Sequence, residues 1–348
     1  MGKPPIRVLV VDDSAFMRKT LSVMLASDPR LDVVGQARDG EEGVRKTLDL
    51  RPDVVTLDVE MPGVNGLEAL KRIMVQRPTP VVMVSSLTEE GARETLTALE
   101  HGAVDYLPKH LDGVATNITA IQQELVVKVI TAAGMAGKLT KRLTPVAAAP
   151  ARSFMNVTRG QRVIAIGCST GGPQALQQVL PLFPKDLPAG VLIVQHMPKF
   201  FTKPFAERMN QICQISVQEA QEGQVVTPGV ALVAPGGLQM RVARRRALDV
   251  EIALAPNKEN HLHAPSADIM LQSVAEVYPN RGIGVILTGM GHDGLEGMKA
   301  LKGAKGRTIA QDEATCVVYG MPKAVVDAGL ADKVVPLSQI AGEVMNMI

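Results

Sequence analysis

The sequence predicts an α/β protein of two domains, each built around a parallel β-sheet. In both halves, short apolar runs alternate with helical patterns, as in proteins whose sheet is covered by helices on both faces. The chain has 348 residues, more than one typical core, and a stretch without amphipathic order separates the halves. We therefore predict an N-terminal domain over 1–130, a linker over 131–159 and a C-terminal domain over 160–348.

The first domain is predicted to contain five strands and five helices in alternation. Its candidate strands are IRVLVVDD, DVVGQAR, DVVTLDVEMP, PVVMVSS and VDYLPK. Its first four helical segments, with apolar residues three and four apart, are SAFMRKTLSVMLASD, GEEGVRKTLDL, NGLEALKRIMVQR and GARETLTALEHG. A last helix is predicted from Val114 to about Ala132. Five such units predict a five-stranded, parallel, doubly wound sheet.

The linker and the second domain are predicted in the same way. The stretch GMAGKLTKRLTPVAAAPARSF is rich in Ala, Gly, Pro and basic residues, a composition typical of an exposed linker. Beyond it the α/β alternation resumes, with the candidate strands RVIAIG, GVLIVQH, VALVAP, GIGVILT, GRTIAQD and KVVPL. These runs predict a second parallel sheet.

Composition argues against several classes of function. A net charge of +2 creates no strong field toward DNA or an anionic membrane. Aromatic residues make up 3 % of the chain, too few for base-stacking platforms. No apolar run reaches membrane-spanning length, and the three cysteines lie far apart, as in proteins with reduced thiols. We expect a cytoplasmic protein that neither binds nucleic acid nor inserts into a membrane.

Acidic residues gather at strand ends in the first domain. Parallel strands deliver their C-terminal residues to one edge of the sheet, where open α/β folds bind ligands. The side chains predicted to meet at this edge are Asp12, Asp13, Asp58, Ser85 and Lys109. Clustered carboxylates suit Mg²⁺, and a carboxylate can also accept a phosphoryl group as an acyl phosphate. We expect Asp58, on the central strand, to be that acceptor, with Ser85 and Lys109 contacting the phosphoryl oxygens.

A single Asp at a strand end is commonly a turn residue, but the full set in this order indicates more. The first domain resembles the receiver domain of bacterial response regulators over its whole length. The matching stretches are VLVVDDS, TLDVEMPGVNGLE, VVMVSS and VDYLPK. The resemblance implies a Mg²⁺ site formed by Asp12, Asp13, Asp58 and Glu60, and a histidine kinase as phosphodonor. One departure is His110, because receivers commonly have proline after the lysine.

The stretch AIGCSTGGPQAL in the second domain leaves two interpretations open. It matches the G-x-S-x-G turn that exposes a nucleophilic serine between a strand and a helix. A glycine-rich loop before a helix can also bind an anion. In an α/β-hydrolase the serine is followed along the chain by an acid and then by a histidine. Here the last histidine is His292, which directly precedes an acid, and no motif identifies a catalytic acid upstream of it.

A second glycine motif raises a different possibility. Residues 289–294, GMGHDG, match the dinucleotide-binding pattern, and Asp312 follows at the expected distance. Only residues 313–348 remain after that acid, too few to complete a dinucleotide-binding domain.

A third interpretation is a catalytic triad. Ser169, His196 and Asp293 each follow a predicted strand. At one sheet edge these side chains could form a nucleophile, base and acid triad.

The second domain resembles the catalytic domain of the chemotaxis response regulator protein-glutamate methylesterases, the CheB family. The matching stretches are IGCSTGGP, VQHMP, FTKPFAERMN, APGG, PSADIMLQSVA, GVILTGMGHDG and TIAQDEATCVVYGMPKAV. The resemblance implies that Ser169 is the nucleophile, His196 the general base and then acid, and Asp293 the orienting carboxylate. It also places the backbone of Met290 and the hydroxyl of Thr170 in the same site.

The family resemblance also implies a substrate and partners. It implies hydrolysis of γ-glutamyl methyl esters on the cytoplasmic helices of chemoreceptors, with release of methanol, and deamidation of receptor glutamines. The phosphodonor would be the chemotaxis histidine kinase, and the esterase reaction would need no cofactor. Gln239 and Ala264 depart from the family, which often has His and Arg at these positions. The alternative is a response regulator whose second domain binds a partner or nucleotide without catalysis.

Overall fold

The computed structural model describes residues 4–109, 118–136, 162–245, 249–258 and 261–348. The chain forms two compact units, Met1–Pro145 and Val146–Ile348. The division between them falls inside the predicted linker 131–159, of which residues 137–159 lie outside the described residues. His110 and the predicted helix start at Val114 also lie outside them.

The first unit contains the predicted five-stranded sheet. Its strands are β1 (Ile6–Val11), β2 (Leu31–Ala37), β3 (Val54–Asp58), β4 (Val81–Ser85) and β5 (Asp105–Pro108). They are parallel and lie in the order β2-β1-β3-β4-β5. The apolar residues of β3 and β4 are fully buried, as a sheet covered on both faces requires. The doubly wound fold predicted for this half is confirmed.

Among the described residues, five helices accompany this sheet, and polar residues cap the N-termini of the first four. The helices are α1 (Ala15–Ala26), α2 (Gly40–Leu50), α3 (Gly66–Gln76), α4 (Glu89–Glu100) and α5 (Ile118–Ala133). Ser14, Asp39, Asn65 and Thr88 each accept a hydrogen bond from a backbone N–H of the first turn. Such caps satisfy donors that have no partner inside the helix and so fix where each helix begins.

The second unit contains a seven-stranded parallel sheet and an antiparallel hairpin. Its strands are β6 (Arg162–Cys168), β7 (Ala189–Gln195), β8 (Ser216–Glu219), β9 (Val230–Val233), β10 (Leu238–Arg244), β11 (Val250–Pro256), β12 (Gly282–Ile286), β13 (Arg307–Gln311) and β14 (Lys333–Val335). The sheet order is β14-β13-β12-β6-β7-β9-β8, and β10 pairs with β11. All six predicted strands are present. The prediction omitted β8, which is short and polar at the sheet edge, and the hairpin.

Helices follow most strands of the second unit, although β8, β9, β10 and β11 succeed one another directly. The helices are α6 (Gly172–Val179), α7 (Lys199–Ile212), α8 (Ala267–Val277), α9 (Leu295–Gly303), α10 (Met321–Asp327) and α11 (Leu337–Met347). Helices α8 and α9 pack closely on β12, where a Cβ added to Gly284 would lie 2.5 Å from Met298 Sδ of α9 and 3.3 Å from Leu271 Cδ2 of α8. This close packing fixes the N-terminus of α8 beside the loop that follows β12. Among the described residues, no helix has the length and apolar character needed to cross a membrane.

Candidate functional site

The predicted acidic residues of the first unit meet at the C-terminal edge of its sheet. Lys109 Nζ lies 2.8 Å from Asp58 Oδ2 and 3.2 Å from Asp12 Oδ2. Asp12, Asp13 and Asp58 each offer a carboxylate oxygen, and these three oxygens lie within 4.8 Å of one another. Asp12 and Asp58 are almost completely buried, and Asp13 is exposed. Three carboxylates therefore face one ammonium group.

The electrostatics of this cluster fit a divalent cation. Burial raises the pKa of Asp58 to about 6; the neighbouring Lys109 opposes this rise and the nearby Asp12 adds to it. Asp12 Oδ2 and Asp58 Oδ2 are buried and have no hydrogen-bond partner among the described residues, although each forms an ion pair with Lys109 Nζ. Oxygen ligands with excess negative charge are the donor set that Mg²⁺ prefers. The residues present thus fit the metal that the sequence predicted.

Two other predicted residues of this site have different partners. The Ser85 hydroxyl donates to the carbonyl oxygen of Gly91 at 3.1 Å. The Glu60 carboxylate accepts a hydrogen bond of 2.5 Å from the Ser86 hydroxyl and is not one of the three clustered carboxylates. The backbone N–H of Glu60 does contact the site, since it donates to Asp58 Oδ1 at 3.3 Å.

In the second unit, the predicted serine and histidine follow two paired strands. The register of β6 and β7 places Cys168 opposite Gln195, and the N–H of His196 donates to the Cys168 carbonyl at 3.2 Å. Ser169 and His196 are the next residues on these two strands. The Gln195 amide joins them further by donating to the carbonyls of Ser169 at 3.0 Å and His196 at 3.2 Å.

The glycines after Ser169 form a tight turn into α6. Gly171 has a φ of +76°, and a Cβ there would lie 2.2 Å from Val317 Cγ2. A Cβ on Gly172 would lie 1.9 Å from Gln195 Oε1. The N–H of Gly172 donates to the Ser169 carbonyl at 2.7 Å and closes the turn. Only glycine fits this conformation and spacing, which leaves Ser169 partly exposed at the sheet edge.

His196 and Asp293, two of the three residues of the predicted triad, form a hydrogen-bonded acid–base pair. His196 Nε2 lies 2.8 Å from Asp293 Oδ2, and both side chains are about nine-tenths buried. Burial by itself would raise the pKa of Asp293, but the hydrogen bond to His196 and further donors hold it below its ordinary value. Because an ionised carboxylate only accepts, Nε2 of His196 bears the proton. The other ring nitrogen, Nδ1, is the basic one, and it is buried without a hydrogen-bond partner among the described residues.

The further donors to Asp293 come from the N-terminus of α8. The Ser266 hydroxyl donates to Asp293 Oδ1 at 2.7 Å, and the backbone N–H groups of Ala267 and Asp268 donate at 2.7 and 3.1 Å. A helix N-terminus stabilises a negative charge through its free N–H groups and its dipole. Sequence reasoning did not identify Ser266. Its signal was a serine directly before a helical pattern, the ordinary mark of an N-cap.

His263 is a second residue that the sequence did not single out. Its ring stacks on that of His196, with centroids 3.9 Å apart and planes inclined by 16°. Burial and the adjacent His196 lower the pKa of His263 to about 4, so that the ring is neutral near pH 7. The only sequence signal was its position, three residues before Ser266.

The loop that contains Met290 packs against the serine turn. A Cβ on Gly289 would lie 3.0 Å from Ser169 Cβ, and the Gly289 carbonyl accepts from Met321 N–H at 2.8 Å. Thr170 is buried, and its carbonyl accepts from the Thr288 hydroxyl at 2.9 Å. The backbone at Met290 is therefore held next to Ser169. The glycine motif 289–294 contributes to this same site through Asp293.

The two units together define a class of protein: a response regulator with an enzymatic output domain. Residues 8–120 match the response regulator receiver domain model. Residues 164–344 match the CheB methylesterase model. The chain belongs to the CheB methylesterase family, as its sequence motifs predicted.

Individual relatives are similar in sequence to this chain over nearly its whole length. The chain is 50 % identical to protein-glutamate methylesterase/protein-glutamine glutaminase 2 of Nitratidesulfovibrio vulgaris, over 98 % of this chain and 99 % of that protein. It is 45 % identical to a Pyrococcus horikoshii protein named protein-glutamate methylesterase/protein-glutamine glutaminase, over 100 % and 95 % of the two chains. The crystal structure of the Thermotoga maritima CheB methylesterase catalytic domain superposes with a TM-score of 0.53 at 38 % identity, covering 55 % of this chain and 100 % of that one.

Proposed function

We propose that this protein is a phosphorylation-activated hydrolase that removes methyl esters from chemoreceptor glutamates and deamidates receptor glutamines. The observation that supports this most is the His196–Asp293 pair next to the Ser169 turn, in a chain half identical to a protein-glutamate methylesterase/protein-glutamine glutaminase. The proposed partners are methylated cytoplasmic helices of chemoreceptors, so the proposed site of action is the cytoplasm. The proposed domain boundaries remain 1–130, 131–159 and 160–348.

In the proposed reaction Ser169 is the nucleophile. His196 Nδ1 takes the hydroxyl proton while Oγ attacks the ester carbonyl carbon, and the carbonyl electron pair moves to oxygen. The resulting oxyanion is stabilised by backbone N–H groups of the serine turn and Met290, together with the Thr170 hydroxyl. Asp293 keeps the His196 proton on Nε2 and stabilises the imidazolium. This role requires a free ring nitrogen, and Nδ1 is buried with no hydrogen-bond partner in the part of the chain that the structure describes.

The tetrahedral intermediate then collapses to an acyl-enzyme. The bond to the methoxy oxygen breaks as His196 returns its proton to that oxygen, and methanol leaves. Water, deprotonated by His196, attacks the acyl carbon, and Ser169 departs with that proton to leave a glutamate carboxylic acid, which releases its remaining proton to solvent as a carboxylate. With a glutamine side chain the same steps release ammonia instead of methanol.

The proposed regulatory phosphorylation site lies in the first unit. Asp58 accepts a phosphoryl group from the chemotaxis histidine kinase, and Lys109 and Ser85 contact its oxygens. Asp12, Asp13 and Asp58 would hold Mg²⁺ through their carboxylates, and Glu60 would do so through its backbone carbonyl oxygen, because its carboxylate accepts a hydrogen bond from Ser86. The bound metal would neutralise charge between the carboxylates and the phosphoryl group.

The decisive experiment measures methanol release from receptor membranes with labelled methyl esters, with and without a small-molecule phosphodonor. We expect release that increases with the phosphodonor. Ser169→Ala is expected to abolish release while Asp58 phosphorylation continues. A wild-type protein that binds receptors without releasing methanol would instead support a non-catalytic second domain.

A further inference from the structure

One buried amide connects to both ends of the segment that supports the acid–base pair. This segment, residues 263–266, stacks on His196 at its first residue and donates to Asp293 from its last. It thereby contacts both members of the pair, although it lies on neither of the strands that deliver them. Whatever fixes this segment also fixes the relative position of the two groups.

Gln239, on β10, is 4 % exposed and holds the segment through both atoms of its amide. Its Oε1 accepts from the N–H of Ser266 at 2.9 Å. Its Nε2 donates to the carbonyl of His263 at 2.7 Å and to Asn257 Oδ1 at 3.3 Å. The N–H of Gly237 adds a bond to the Ala264 carbonyl at 2.9 Å. The amide therefore fixes the backbone of the two residues that contact the acid–base pair.

The geometry points to Gln239 as a positioning residue for the hydrolytic reaction, acting on His196 and Asp293 through the backbone of residues 263–266. This inference rests on the proposed function, and it extends it to a residue that touches neither the reacting atoms nor the triad. The side chain at this position must accept a hydrogen bond from the N–H of Ser266 and donate one to the carbonyl of His263. A carboxylic acid meets that requirement, and a carboxylate does not.

The Gln239→Glu variant exploits this difference. When protonated, the new side chain accepts from Ser266 N–H and donates to the His263 carbonyl, as the amide does. When ionised, it places a negative charge against that carbonyl and loses the donor. Burial raises the pKa of a carboxyl group, so ionisation would occur above its ordinary pH range. We expect kcat near that of the wild type at the acidic end of the pH profile and a loss of about 10- to 100-fold at the alkaline end.

The measurement is the pH profile of kcat and KM for methanol release by the full-length, phosphodonor-saturated protein. Gln218→Glu on β8 is the matched control, because it is the same substitution at an exposed position. Ratios to this control at each pH remove the pH dependence of receiver phosphorylation. The same ratios also cancel the pH dependence that comes from the native titratable groups at the described site. These groups are His196, His263, His292, Asp268 and Asp293.

A second variant tests the same inference without titration. Gln239→Leu leaves the Ser266 N–H and the His263 carbonyl without partners, and we expect kcat to fall about 10- to 100-fold at every pH while KM stays within about threefold. The Asp58 phosphorylation rate should not change.

Several outcomes would overturn the inference. They are a Gln239→Glu profile parallel to that of the control, a Gln239→Glu protein inactive even when protonated, and a Gln239→Leu protein with wild-type kcat. Absence of methanol release by the wild type would refute the proposed function itself, and so the two failures are distinguishable.

Discussion

The imidazole ring of His263 lies flat against that of His196, with 3.9 Å between their centroids. His263 is neutral near pH 7 because burial and the neighbouring ring lower its pKa to about 4. A neutral partner can remain stacked while His196 gains and loses a proton. A cationic partner would oppose protonation of His196 by charge repulsion.

The first prediction concerns this stack. We expect His263→Phe, which keeps an aromatic face against His196, to retain kcat for methanol release within about fivefold. We expect His263→Ala to lose about tenfold or more, since the His196 ring then loses its packing surface. Equal activities of the two variants would contradict a role for the stack.

The lowered pKa of His263 also predicts the direction in which stability changes with pH. Its folded-state pKa, about 4, lies below the ordinary value of 6.5, so between these pH values the unfolded chain binds more protons. The free energy of unfolding contributed by His263 therefore rises with pH across this window and is constant above it. His263→Phe should show a weaker dependence of Tm on pH between about 4 and 6.5 than the wild type. Identical slopes would contradict the prediction.

A second prediction concerns the Ser266 hydroxyl. Ser266→Ala removes both the N-cap of α8 and a donor to the Asp293 carboxylate, so we expect about 1–3 kcal/mol of destabilisation and at least a tenfold fall in kcat. We expect the Ser266→Gly variant to have the same fall in kcat as Ser266→Ala but a smaller loss of stability, because glycine is tolerated at an N-cap. Ser266→Thr, which keeps the hydroxyl, should restore kcat. Chemical denaturation and methanol release measure the two effects, and an unchanged kcat in Ser266→Ala would contradict the support of Asp293.

A third prediction concerns Asp58. Its folded-state pKa of about 6 exceeds the ordinary value of 3.8, so the folded chain binds more protons between these values. Stability therefore falls as pH rises from 4 to 6, and the ionised carboxylate costs roughly 1–3 kcal/mol at neutral pH. Asp58→Asn should have a higher Tm than the wild type at pH 7.5 in EDTA, and the difference should disappear near pH 4.

Mg²⁺ provides the internal check on the Asp58 prediction. The cation would neutralise the clustered carboxylates, so it should raise the Tm of the wild type more than that of Asp58→Asn. Asp49→Asn, at an exposed position of α2, is the matched control and should follow the wild type. A Tm of the wild type that is insensitive to Mg²⁺ would contradict a metal site at this cluster.

A fourth prediction concerns regulation by the first unit. If the unphosphorylated receiver inhibits hydrolysis, deletion of residues 1–148 should raise basal methanol release, and a few kcal/mol of differential contact energy is enough for such a switch. EDTA should abolish the response of the full chain to a phosphodonor without changing the activity of the shortened one. A shortened protein no faster than the unphosphorylated full chain would contradict inhibition by the receiver.

Strand ends were the part of both sites that sequence reasoning could locate. Apolar runs define where strands stop, and parallel pairing brings those stops to one edge. For this reason the sequence predicted that Asp12, Asp58 and Lys109 would lie close together, and that His196 would lie near Asp293; the structure has both contacts. Glu60 differs because the direction of its side chain depends on Ser86, a local contact that strand spacing does not encode.

The chain by itself determined two parallel α/β units, the acidic edge of one and the acid–base pair of the other, because hydrophobic periodicity fixes strands and strands fix edges. Only the tertiary structure decided which nitrogen of His196 can accept a proton, because that depends on which ring nitrogen contacts the Asp293 carboxylate. It also decided that His263, Ser266 and Gln239 support the pair. These residues reach it through a loop and a hairpin, whose path depends on packing rather than on any periodic pattern in the sequence.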